Sequence, residues 1–457
     1  MHQRVRGLSL TGKIALVVLS LIPIYYISYQ IQLADLAWLP RWPTSRVDTT
    51  TFAHQWLETE LLDPFDRTPI RAYCASSSWR PNLIFNVPSP IGGFGNIRAR
   101  LLDFVFFAIE AGAAIVLPGM IIRSEVDIHD IWSGSHGNFS FMFDEDHFIR
   151  SMADACPQMR IHKLWEVERA VTTVEGIYPP RSRRVDIGGE ACSWAASSEQ
   201  LDRWLSDRDV DNNTLTMINV DHTIWEVDTL SLPEGFRENF PMVLRTSLET
   251  RRYAGLVMAN LASKHELDIK ASDELHQEAF YGAHLRTESD TVAAGWFLPP
   301  TELEYGVDFT AQTDAYLAHA TQNRLQAMYV ATGNETEFDR FVEKAANYVP
   351  PIEILSKWTL LNSSDAEALS KLHWDQQALV DYEVMMKCSV FGGFAKSSFS
   401  FGIAVARNAW LEGHGRPIGH AWRMKEIDPH VAYDDGLSRI LGRNQLNEEK
   451  CPRGCWP

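Results

Sequence analysis

The chain has 457 residues, 45% hydrophobic and 11% aromatic, which is enough for two or three packed domains and too apolar for general disorder. Its formal net charge of −17 excludes the broad basic face that nucleic-acid binding requires. Any phosphate-handling site must be a local basic pocket on an acidic body.

Residues 1–13 carry Arg4, Arg6 and Lys13 and no acid, and read as a cytoplasmic tail. The next eighteen, Ile14 to Ile31, carry no charge and suffice to span a bilayer. A cleaved signal peptide is the alternative, but bulky Tyr25, Tyr26 and Tyr29 stand where a cleavage site wants small residues, so an uncleaved signal anchor is favoured. The expected topology is single-pass type II with the rest of the chain lumenal. A span this short suits the thinner membranes of the early secretory pathway, the endoplasmic reticulum or Golgi. Asn138, Asn212, Asn334 and Asn362 each begin an N-glycosylation triplet. The six cysteines are an even number in an oxidising compartment, and Cys451 and Cys455 are spaced to close a small loop or to pair upstream. No second cysteine or histidine pair has zinc-ligand spacing, so no metal site is expected.

Residues 32–80, rich in Trp, Pro and Thr without a sustained period, read as a stem. "NLIFNV" (82–87) predicts a strand, "GGFGN" a turn, residues 96–112 a helix and 113–118 a buried strand: a βαβ unit, and so a parallel sheet. The pattern restarts with a strand from Phe280. Helices over 311–326, 336–346, 378–389 and 397–410 alternate with strands over 327–332, "PIEILS" and 390–394. This predicts an α/β fold with one domain over 81–270 and a second over 271–430, followed by a tail over 431–457. Ligands of such sheets bind at the carboxyl ends of the strands. No repeat or low-complexity run is present.

Three segments carry candidate chemistry. "GGFGNIR" (Gly92–Arg98) sets a glycine turn before a helix, which serves either to seat an anion on backbone N–H groups or to let helix and strand pack closely; Asn96 reads equally as a helix cap. His284-Leu285-Arg286 ends a strand with a guanidinium able to fork two phosphate oxygens, or to pair with Glu288 or Asp290. Ser397 and Ser398 lead a helix after a glycine-containing strand, as an anion seat or as plain caps. Asp144/Asp146 and Asp207/Asp209 have metal-diphosphate spacing but lie in polar stretches and read as solvated acids.

In this order the three segments resemble the GDP-fucose protein O-fucosyltransferase family: the turn, long apolar helix and Pro-ended strand over 92–118, His284 to Asp290, and the Ser-Ser-Phe turn ending at Phe399, over about residues 80 to 410. The resemblance implies a GT-B fold, two Rossmann-like domains facing across a cleft, and an inverting, metal-independent enzyme using GDP-fucose or a related GDP-sugar. It implies that Arg286 grips the donor diphosphate, that the backbone of Gly93, Phe94 and Gly95 and the side chain of Asn96 approach from the other domain, and that Ser397, Ser398 and Phe399 seat phosphate and nucleotide beside His284. Some relatives place a glutamate in the turn, where this chain has Gly92 and Gly93. Asp103, Glu288 and Asp290 are therefore candidates for the general base on proximity alone, and the role stays unassigned. Arg98 and Arg100 would add positive charge beside the turn. The partners implied are the nucleotide sugar and a protein or glycan hydroxyl. The same fold with another donor, a non-catalytic lumenal glycan-binding protein, and a metal-dependent enzyme built on Asp144 and Asp146 are the alternatives.

Overall fold

The structure, a computed structural model, describes residues 48–88, 90–124, 134–169, 171–177, 202–203, 205–207, 213–220, 224, 226–233, 235–287, 308–415, 430–442 and 455–457. The proposed membrane span, Asn212, Glu288, Asp290, Asp209 and Cys451 lie outside these residues. No helix among those described is long and apolar enough to cross a membrane.

The first sheet is built on β1 (Leu83–Asn86), whose four residues are all buried, as expected of a strand covered on both faces. β2 (Ala114–Val116) pairs with it in parallel; β3 (Met120–Ile122) and β4 (Ser135–Gly137) form an antiparallel pair; β5 (Ile161–His162), β6 (Thr172–Ile177) and β7 (Thr216–Val220) complete the order β5-β2-β1-β7-β6. Its neighbours pair in parallel throughout. Between β1 and β2 runs the helix Phe94–Ala111, buried on nearly every side. The second sheet comprises β8 (Tyr281–His284), β9 (Ala327–Ala331), β10 (Glu353–Leu355), β11 (Val390–Phe394), β12 (Val431–Asp434) and β13 (Ser438–Leu441), in the order β10-β9-β8-β11-β13-β12. Only the β12–β13 pairing is antiparallel. Tyr281, Leu317, Met328 and Phe341 centre its core.

The α/β reading holds, and the structure adds to it at both ends. The expected stem is folded from residue 48: the helix Thr49–Trp56 packs so closely on the helix Leu248–Lys264 that a Cβ on Gly255 would lie 2.9 Å from Ala53 Cα. Trp56 stacks on His276, with the Lys387 ammonium 4.4 Å over its ring. The expected tail supplies β12 and β13. These strands are short, four residues each, so periodicity alone does not reveal them. The serine-led helix Ser398–Gly413 is pinned to this edge by Arg407, wholly buried, which donates to Ser438 Oγ and to the carbonyls of Met386, Cys388, Ser389 and Leu437.

Cys74 and Cys156 form a disulfide across 82 residues, a pairing not evident from spacing. Cys455 is also disulfide-bonded, with a partner outside the described residues, and Cys388 is a buried free thiol. Residues 455–457 insert into the first half of the molecule. Trp456, 2% exposed, packs against Phe240 at 5.0 Å and Phe106 at 5.9 Å, and its indole N–H donates to Asp103 Oδ1 at 2.7 Å.

Trp456→Ala removes a buried aromatic ring and leaves the Asp103 carboxylate short of a donor, so it should lower unfolding free energy by about 3–5 kcal/mol in denaturant titration. A midpoint equal to the unmutated protein would show that this segment is not part of the core.

Candidate active site

The helix after β1 starts at Phe94, two residues before the expected position. Gly93, extended at φ −72° and ψ 167°, is its cap and supplies no side-chain bond. Asn96 is therefore inside the first turn and does not cap it. Gly92 has φ 108°, a conformation that favours glycine, and a Cβ there would lie 3.2 Å from Asn96 Nδ2. The Asn96 Oδ1 is buried and has no hydrogen-bond partner among the described residues. A buried amide oxygen without a donor costs about 1–3 kcal/mol, so the turn holds an acceptor ready for something else.

The serine-led helix meets this turn head to head. A Cβ on Gly95 would stand 2.6 Å from the Ser398 carbonyl oxygen and 2.9 Å from its hydroxyl, so only glycine permits the contact. Ser397 caps that helix without a side-chain capping bond and is 6% exposed. Two helix N-termini, each with unspent N–H groups and the positive end of a dipole, thus converge from the two sheets.

An aromatic chain crosses the same place. Phe94 packs edge-on against Tyr382 at 4.7 Å, Tyr382 against Phe399 at 5.3 Å, and Phe399 against the His284 ring at 4.7 Å. His284 Nδ1 lies 2.8 Å from Ser400 Oγ, and the Tyr316 hydroxyl donates to the His284 carbonyl. Arg286 follows at the carboxyl edge of β8. Its backbone N–H donates to Gln312 Oε1 at 3.0 Å and its carbonyl accepts from Gln312 Nε2 at 3.1 Å, which fixes the point from which its half-buried side chain departs. The structure so gathers Gly93, Phe94, Gly95, Asn96, His284, Ser397, Ser398 and Phe399 at one junction, with Arg286 leaving the same strand end.

Two of the expected charges serve the fold instead. Arg98 donates to the backbone oxygens of Trp456 and Pro457. Asp103 is fully buried and binds Trp456 and the Glu226 N–H, so it is spent as a structural acceptor and is not placed as a base. Arg100 is 5% exposed within the same helix. Asp144 caps the helix Glu145–Ala155 through the His147 N–H, while Asp146 and Asp207 are exposed. Among the described residues no three His, Cys, Asp or Glu side chains are close enough to share a cation.

Two groups not singled out in the sequence also border the junction. Arg123, just beyond β3, lies against Gly93 and pairs with Asp375. A cavity of about 60 Å³ beneath Phe94 and Tyr382 is lined by Glu60, Thr246, Glu383 and Lys387. Burial, aided by the negative charge of Glu60, pushes the Glu383 carboxyl up to about 7, and it accepts from the Thr246 hydroxyl at 2.6 Å. Burial pulls Lys387 down to about 8. Neither has a local pattern in sequence, since each is defined by what the other half brings.

Residues 84–409 match the family model described as GDP-fucose protein O-fucosyltransferase. Among solved structures, POFUT1 in complex with GDP is similar at 13% identity and a TM-score of 0.43, covering 80% of this chain and 100% of that one. POFUT1 in complex with GDP-fucose is similar at 14% identity and a TM-score of 0.42, over 72% and 94%. Fucosyltransferase NodZ from Bradyrhizobium is similar at 13% identity and a TM-score of 0.35, over 73% and 94%. No curated protein matches the chain by sequence.

Gly95→Ala must force the two helix ends apart or strain them, at about 1–3 kcal/mol, and should abolish most transferase activity while leaving a folded protein by circular dichroism. Full activity in that variant would contradict the close contact. The folded protein holds the Glu383 proton where the unfolded chain, with a carboxyl near 4.5, releases it; stability should therefore fall as pH rises from about 4.5 to about 7. Glu383→Gln should remove that part of the slope in denaturant unfolding followed across this range, and an unchanged slope would assign the titration to another group.

Proposed function

We propose, from the premise that this chain belongs to the GDP-fucose protein O-fucosyltransferase family, that it moves fucose from GDP-fucose to a hydroxyl of a protein or glycan acceptor. It is a glycosyltransferase by that membership. The finer reading is an inverting, metal-independent enzyme of GT-B architecture, its two halves facing across the cleft where Gly95 meets Ser398. The observation that carries it is the contact of two helix N-termini without side-chain caps, Gly95 against Ser398, with the neighbouring Asn96 Oδ1 left without a partner among the described residues.

Glycosyl transfer builds positive charge on the sugar ring as negative charge grows on the departing diphosphate. N–H groups and a guanidinium held beside that diphosphate lower the barrier without reorganising. Arg286 would take two phosphate oxygens in a forked grip, and the free N–H groups behind Ser397 and Ser398 would take others. The Phe399 ring, braced by His284 and Tyr382, offers a face to the nucleotide. Asn96 would use its free Oδ1 to accept from a hydroxyl of the donor sugar or acceptor, which orients the reacting carbon. The general base stays unassigned: Asp103 is committed elsewhere, and Glu288 and Asp290 lie outside the described residues.

The setting we propose is the lumen of the endoplasmic reticulum or Golgi, behind a type II anchor at residues 14–31. The Cys74–Cys156 disulfide supports an oxidising compartment. Asn138 and Asn362 are exposed and suit glycosylation, as Asn212 would by its triplet. Asn334 is half-buried and spends its Oδ1 on the Glu337 N–H, so it is the least suited.

GDP should raise the melting temperature of the lumenal portion with chelator present, by a gain of about 2.7 kcal/mol at a hundredfold excess over its dissociation constant. UDP should stabilise less. Arg286→Lys should lose nearly as much activity as Arg286→Ala, on the order of 3 kcal/mol in the barrier, because a point charge cannot reproduce the fork. A larger shift with UDP would overturn the GDP-sugar reading.

A further inference from the structure

We infer that Arg123 is a positioning residue for transfer: through Asp375 and Trp374 it fixes the glycine turn of one half against the sheet edge of the other. The inference deepens the reading above, since it rests on Gly93 to Asn96 forming one wall of the donor site.

The contacts form a continuous path. β3 hangs on the glycine turn through the Ile121 N–H, which donates to the Pro90 carbonyl at 2.9 Å. Arg123 leaves the end of β3, and its guanidinium lies where a Cβ on Gly93 would be 3.6 Å from Nη2. Gly93 has an ordinary backbone conformation, so what its missing side chain supplies is room for this group. The guanidinium forks the Asp375 carboxylate, through Nη2 to Oδ1 and through Nε to Oδ2 at 3.5 Å. It also sits 5.2 Å from the Trp374 ring centroid. That indole in turn presses on the loop beyond β9, where a Cβ on Gly333 would be 3.1 Å from its Nε1.

Two further bonds tie the same helix turn to the first half. His373 Nδ1 accepts from the Asp375 N–H at 3.2 Å, which leaves its proton on Nε2 to donate to the Arg123 carbonyl at 3.0 Å. Gln376 Nε2 donates to the Phe141 carbonyl at 3.0 Å. The start of the helix Trp374–Met386 is thus a clasp between the halves, and the ion pair is its buried centre: Asp375 is 2% exposed.

An ion pair is not needed merely to hold two surfaces together, because well-packed apolar residues do as well or better in a buried place. What a forked guanidinium–carboxylate pair adds is a fixed angle and distance. That matters where Asn96 must meet a substrate gripped from the other sheet, since misplacement by about 1 Å can cost about a hundredfold in rate.

The test compares Arg123→Ala, Arg123→Lys and Asp375→Asn with the unmutated lumenal protein. Arg123→Ala should lower kcat about a hundredfold with donor KM and GDP affinity by calorimetry within about threefold. Arg123→Lys should restore the melting temperature but not kcat, because it returns the charge without the fork. Hydrogen exchange of the peptide spanning 92–98 should speed up in all three variants. Full kcat in Arg123→Lys, or in Arg123→Ala, would overturn the inference, as would parallel losses of GDP affinity and kcat. If the unmutated protein binds no GDP, the donor reading fails, and the exchange measurement alone decides: unchanged exchange at 92–98 in Arg123→Ala rejects the positioning role, and faster exchange sustains it.

Discussion

The contact on which the molecule depends is the meeting of two helix beginnings, Gly95 against the backbone of Ser398. Such ends repel, because each carries about half a positive charge and N–H groups that lack intrahelical acceptors. Capping side chains usually answer part of that demand, yet neither Gly93 nor Ser397 supplies a capping bond. The arrangement is therefore held from outside and left electrostatically open within. A negatively charged group is what such a pair of ends would favour.

The outside support is layered by strength. The aromatic sequence Phe94, Tyr382, Phe399, His284 provides non-directional burial across the seam. Directional control comes from buried charges with satisfied partners: Arg407 spreads five N–H donors over Ser438 and four carbonyls and so anchors the serine-led helix to β11 and β13. Farther from the Gly95–Ser398 contact, Arg237 reaches Glu412 at 3.0 Å, joining the first half to the far end of that same helix. Arg407 is costly to bury and nearly inert with all its donors paired, so the geometry it imposes is stiff.

Much of this was legible in the residues, and the limits have physical causes. Strand β11 falls where a short apolar run bounded by Ser389 and Ala395 predicts it, and β1, β9 and the helix Glu335–Ala346 lie within a residue or two of expectation. The glycine turn and the Ser397–Phe399 segment do come together, as the resemblance implied. Pairs that depend on distant chain closure were not legible: Arg123 and Asp375 stand 252 residues apart, and Cys74 and Cys156 stand 82 apart, with no local pattern to mark either. Residues 48–80 were read as stem because helices of eight or nine residues with Pro and Thr give little period to detect.

The misassigned charges near the turn yield to a simple geometric argument. A helix advances about 100° per residue, so Asn96 and Arg98 point about 200° apart and cannot both face one ligand. Phe94 and Arg98, four apart, share a face instead, and both line the small cavity beside Pro457. Asp103 returns to the face of Asn96 but lies seven residues on, about 10 Å along the axis, too deep for a reacting centre at the helix start. What separates these polar residues is their partners: Asn96 Oδ1 at the helix start has none among the described residues, while Arg98 and, two turns deeper, Asp103 are taken up by hydrogen bonds to Trp456 and Pro457.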